Sequence, residues 1–179
     1  MAYDIGPRIG IKGEDEFNNQ IKKINNSLKE YGSEMKKLTE EFKDNADSQE
    51  ALTEKNKVLQ KQLDAQQQKL EATQKQYEKQ KKKLKELETE HQRIAKEQGE
   101  SSKEAQKAAK AYRDQDGAVS ALKVSMNETQ TYINRLNNKL DDNAKKLQEI
   151  DDGARDAATG LSKLGDEAKD AGNQLDQIE

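Results

Sequence analysis

The stretch FNNQIKKINNSLKEYGSEMKKLTEEF, residues 17–42, decides the fold. Its large apolar residues are Phe17, Ile21, Ile24, Leu28, Tyr31, Met35, Leu38 and Phe42, spaced 4-3-4-3-4-3-4. That spacing keeps one stripe on one side of an α-helix: a heptad with Ile21, Leu28, Met35 and Phe42 at a, and Phe17, Ile24, Tyr31 and Leu38 at d. Carried forward unadjusted, the frame puts Leu52, Leu59, Leu87 and Ile94 at d and Leu63, Leu70, Tyr77 and Leu84 at a. Past Gly99 it takes in Tyr112, Val119, Met126, Ile133, Leu140 and Leu147 at a, with Leu122, Leu136 and Ile150 at d. Leu161, Leu164 and Leu175 extend it, alternating with Ala154, Ala157, Ala168 and Ala171. Of the 32 large apolar residues between 17 and 178, only Val58, Val124 and Tyr132 fall off this seam.

Composition agrees with a seam and argues against a compact core. The 179 residues are 31% hydrophobic, 4% aromatic and 37% charged. Globular domains carry roughly 45–50% apolar residues with glycine counted. Such a chain is either disordered, folding on a partner, or a long helical coil. Disorder requires no frame, so the coil is the reading adopted. The fold class is therefore all-α: a long left-handed coiled coil with its heptad frame continuous over 17–178, after a short non-helical N-terminal lead. An unbroken frame favours one continuous rod, roughly 240 Å long at about 1.5 Å per residue, over a folded-back bundle.

The expected organisation is an extended or turn-rich lead over 1–13, a coiled coil over 14–98, a possible break at 99–102, a second coil over 103–152, and a weaker Gly/Ala-rich tail over 153–179. Gly6-Pro7 marks the lead as non-helical. Glu14, Asp15 and Glu16 suit the positive end of a helix dipole. Interruptions are expected at Asp44–Ser48, where Asp47-x-x-Glu50 resembles a capping box, and at Gln98–Ser102, where Ser101-x-x-Glu104 is one. Gly117 is a third soft point.

Polar residues inside a seam can fix register and oligomer state. The candidates are Asn56, Gln66, Gln80, His91 and Asn143. Few complementary charges flank the seam (Lys83 with Glu88, Lys146 with Asp151), so a homo-oligomer is expected, a parallel dimer or trimer. His91, the single histidine, reads as a seam residue rather than a metal ligand. Lys79, Lys81, Lys82, Lys83 and Lys85 read as a solvated face, because the heptad runs through them and acids follow.

The sequence excludes several classes of function. No cysteine means no thiolate chemistry, and no apolar run is long enough for a membrane segment. A net charge of −3 gives no basic face for specific nucleic-acid binding. Catalytic carboxylates need a concavity that shifts their pKa, and a rod offers none. No cofactor, metal site or enzymatic activity is expected.

The opening MAYDIGPRIGIKGEDEFNNQIKKINNSLKEYGSEMKKLTEEF resembles the start of tail tape measure proteins from long-tailed phages and prophages of Gram-positive bacteria. The residues that carry the likeness are GIKGEDEF, the segment Ala51–Leu59, and the phrases GARDAATGLSKLGDEAKDAG near the end. The resemblance implies a structural role: several long helical copies occupy the tail tube, set tail length during assembly and leave as DNA is ejected. It implies the tail tube protein and tail assembly chaperones as partners, and the virion tail lumen, with the host cytoplasm during assembly, as location. It also implies that these 179 residues are an N-terminal fragment. The alternative is a generic coiled-coil spacer or tether, or a helical binding module, without a phage role.

Overall fold

The computed structural model describes residues 13–175, with side chains through Leu164. The lead over 1–12 and the final heptad position at Ile178 lie outside the described residues. Three helices make up the molecule: α1 (Glu14–Glu41), α2 (Gln49–Gln98) and α3 (Lys103–Leu175). No strand occurs among the described residues.

The single rod is the expectation the structure overturns. Both soft stretches, 42–48 and 99–102, turn the chain back on itself. Glu34 therefore meets Lys61 at 2.9 Å, Asn56 meets Asn143 at 2.7 Å, and Asp47 meets Lys146 at 2.7 Å. α2 lies antiparallel to both neighbours, while α1 and α3 do not pack on each other. The reason is energetic: folding back buries the apolar stripe of α2 within one chain, without the entropic cost of recruiting a second.

Each turn has its own chemistry. Gly99 ends α2 with φ 86° and ψ 147°, a conformation open in practice only to glycine. The 42–48 turn holds no positive φ. It is held by backbone bonds from Asn45 N–H to the Phe42 carbonyl and from Ser48 N–H to the Asn45 carbonyl. Lys55 also donates to the Ala46 carbonyl at 2.9 Å. The helix caps differ by one residue from those read in sequence. Ser48 Oγ accepts from Ala51 N–H at 3.2 Å, and Ser102 Oγ accepts from Ala105 N–H at 3.1 Å. Ser48 and Ser102, rather than Asp47 and Ser101, thus satisfy the orphan donors. Gly117 does not interrupt α3, and the helix runs through 152 into the tail without a boundary.

Packing divides the molecule lengthwise. On α3 the buried and half-buried residues follow a and d almost without exception from Ala105 to Ile150, and every residue from 151 to 164 is exposed. At the Asn56–Asn143 pair an a residue of α2 meets a d residue of α3, with numbers that total 199, while Gln80 and Gln115, both d, total 195. Carried through the frame, a total of 199 would set a positions of one helix level with d positions of the other. An antiparallel hairpin therefore keeps its frame across the turn whenever its register has this value. This is why unbroken phase does not discriminate a rod from a hairpin.

Candidate functional site

The chemistry of this protein resides in its helix faces. α2 carries two of them. Its a and d residues, including Leu52, Leu59 and Leu63, are buried toward α3. A second set, Ala51, Lys55, Val58, Gln62, Ala65, Lys69, Ala72 and Gln76, repeats at 4-3-4-3-4-3-4 and is buried or half-buried throughout. These are c and g positions, roughly 110° around the helix from the first stripe at about 100° per residue. The a and d residues of α1 cover them. Val58 is 1% exposed, so a residue that falls off the first seam is central to the second. The sequence signal is the small-residue repeat Ala51, Val58, Ala65, Ala72 at every seventh position.

The second face ends where α1 ends. Beyond Gln76 the c and g positions become Lys79, Lys83, Glu86, Glu90, Arg93 and Glu97. Arg93 there bridges Glu90 and Glu97 at 2.7 and 2.6 Å. This double pairing raises the Arg93 pKa, chiefly through its hydrogen bonds to the two carboxylates. Charge thus replaces packing on the stretch of α2 that α1 does not reach.

Polar seam residues meet in two places. Asn143 Nδ2 donates to Asn56 Oδ1 at 2.7 Å. Gln115 Nε2 donates to both the Gln80 carbonyl, at 3.0 Å, and Gln80 Oε1. Gln66 Oε1 is buried and has no hydrogen-bond partner among the described residues. His91 is half-buried on α2. Lys146 pairs with Asp47 rather than Asp151, which pairs with Arg155. The Asp47–Lys146 hydrogen bond holds the Asp47 carboxyl below its ordinary pKa and raises that of Lys146.

The asparagine pair yields a measurable expectation. Changing Asn143 to leucine alone strands the Asn56 amide in a half-buried seam and should cost about 1 kcal/mol or more. Changing both to leucine should restore or exceed the original stability, since two apolar groups replace two satisfied polar ones. A denaturation double-mutant cycle checks this. A double variant less stable than Asn143→Leu would contradict it.

Between α1 and α3, over α2, runs an open groove lined by Met35 and Thr39, by Lys55, Leu59 and Gln62, and by Lys139, Asp142, Asn143, Lys146 and Glu149. Within it Lys146 is paired with Asp47 at 2.7 Å. No group of three metal-ligating side chains occurs among the described residues, and no helix there is long and apolar enough to cross a membrane. No protein-family model, curated protein or solved structure matches this chain.

Proposed function

We propose that this chain is a structural coiled-coil protein whose work is mechanical, and within that class a tail tape measure protein of a long-tailed phage or prophage. The observation that carries the structural reading is the apolar seam kept in seven-residue phase through three long helices and both turns. Residue number in such helices converts linearly to length, and whole heptads can be added or removed without moving the seam. The phage assignment rests on the resemblance of the opening 42 residues and of the Gly-Asp-Ala phrases near the end. In this reading the left-handed supercoil, assembly with further copies, contact with the tail tube protein and assembly chaperones, and residence in the tail lumen belong together.

The test removes heptads as matched pairs, residues 84–90 from α2 with 109–115 from α3, where α1 is not involved. Each pair should shorten a hairpin by about 10 Å and an opened rod by about 20 Å, at about 1.5 Å per residue. Tails measured by electron microscopy should shorten in proportion to the number of pairs removed. Tails of unchanged length would overturn the ruler. They would leave the second reading, a spacer or helical binding module, which the exposed Leu161 and Leu164 favour.

A further inference from the structure

The last stretch of α3, residues 151–175, carries the a and d frame onward past the start of α2, and every residue from 151 to 164 is exposed. Leu161 is 70% exposed and Leu164 63%. This face is continuous with the buried α2–α3 interface, so whatever covers it must continue the line of α2. One segment of this chain fits. α1, with 28 residues, is about as long as the projection. Its a and d residues are in phase with the a and d seam of α2, although in the folded-back arrangement it lies mainly on the c and g face.

We propose that α1 has two seats: the c and g face of α2, where it lies here, and the projecting seam of α3, which it reaches when the 42–48 turn straightens and joins α1 to α2 in one helix. The register of the Asn56–Asn143 pair, extended past Ile150, then sets the two seams level. Phe42 falls opposite Ala157, so its aromatic ring meets an alanine. Leu38 falls opposite Leu161 and Met35 opposite Leu164, the two exposed leucines.

The backbone allows this movement at one turn and resists it at the other. Residues 42–48 hold no glycine, no proline and no positive φ, so they can adopt helical geometry. Gly99 holds the other turn with φ 86°. In its present seat α1 is loosely held. Of its seam residues inside the helix, only Ile24 is buried, at 7% exposure, and the rest are half-buried. The covering face supplies Ala51, Lys55, Gln62 and Lys69 where a tight seam would supply leucines. Straightening gives up the Glu34–Lys61 ion pair and the cover over Ala51, Val58, Ala65 and Ala72, and gains cover over Leu161 and Leu164. The seat is filled from the same chain because α1, once in line with α2, already lies beside the projection. The inference is independent of any phage role.

Cysteine pairs test it in the 179-residue chain, which has no native cysteine. Met35→Cys with Gln62→Cys reports the folded-back seat, since both residues line one groove. Met35→Cys with Leu164→Cys reports the second seat. A short bis-maleimide crosslinker, at protein concentrations where chains do not associate, should link both pairs at monomer mass. Adding Ala46→Pro, which forbids a helix through the turn, should abolish the 35–164 product and spare the 35–62 product. Replacing Asp44, Asn45 and Ser48 with alanine should increase the 35–164 product several-fold. Failure of 35–164 to crosslink in the alanine variant while 35–62 does, or a 35–164 product found only at dimer mass, would overturn the proposal.

Discussion

Gly99→Ala is expected to shift the chain toward self-association. The alanine methyl meets no atom within 4 Å, so space is not the obstacle. The obstacle is φ 86° with ψ 147°, which costs an L residue about 1–3 kcal/mol. In a continuous helix through residue 99, alanine instead gains about 1 kcal/mol over glycine. The two effects act in one direction and total about 2–4 kcal/mol per chain. Two opened chains related by a two-fold near the old turn rebuild the α2–α3 pairing between chains. Sedimentation equilibrium should show tighter dimerisation than the parent chain by at least tenfold, the equivalent of about 1.4 kcal/mol. An unchanged association constant would mean that Gly99 does not hold the turn.

Leu52→Ala should be among the most damaging single truncations. Leu52 is 2% exposed, the largest of the fully buried side chains together with Val58, Thr73 and Thr129. It follows the Ser48 cap by four residues, where the α1–α2 turn and the α3 seam converge on α2. Removing its methyl groups should cost about 2–5 kcal/mol, transfer and cavity terms together. Leu161→Ala is the matched control: the same chemical change at 70% exposure should stay within about 0.5 kcal/mol in dilute solution. Urea denaturation of both reads the difference. Equal effects would mean that Leu161 is covered in solution. In that case adding Ala46→Pro should bring the cost of Leu161→Ala back near zero if α1 provides the cover.

Several features were legible before any coordinates. The helical state followed from a stripe that only a period near 3.6 keeps on one side, and the stripe is the face that α3 buries up to Ile150. Asp44–Ser48 and Gln98–Ser102 were readable as interruptions because cap-forming residues and glycine punctuate helices. Pairing of Asn56 with Asn143 was not readable. It depends on which residues the turn brings level, a distance of 87 positions along the chain. Nor was the second face of α2, because Ala51, Ala65 and Ala72 weigh little in a count of large apolar residues. The volume an alanine leaves open becomes informative only when a neighbouring helix fills it.

By itself, then, the sequence determined the local state: helices, their one greasy line, and where they stop. Those follow from interactions within about seven residues, which periodicity and capping report directly. Tertiary structure alone decided what covers that line. α2 and α3 satisfy each other within one chain, α1 takes the adjacent flank of α2, and residues 151–164 are left in water. The physical reason is that an a-to-d layer has the same chemistry whether its two halves come from one chain or two. The choice falls to the backbone geometry at Gly99 and at 42–48, which no repeat in side-chain polarity encodes.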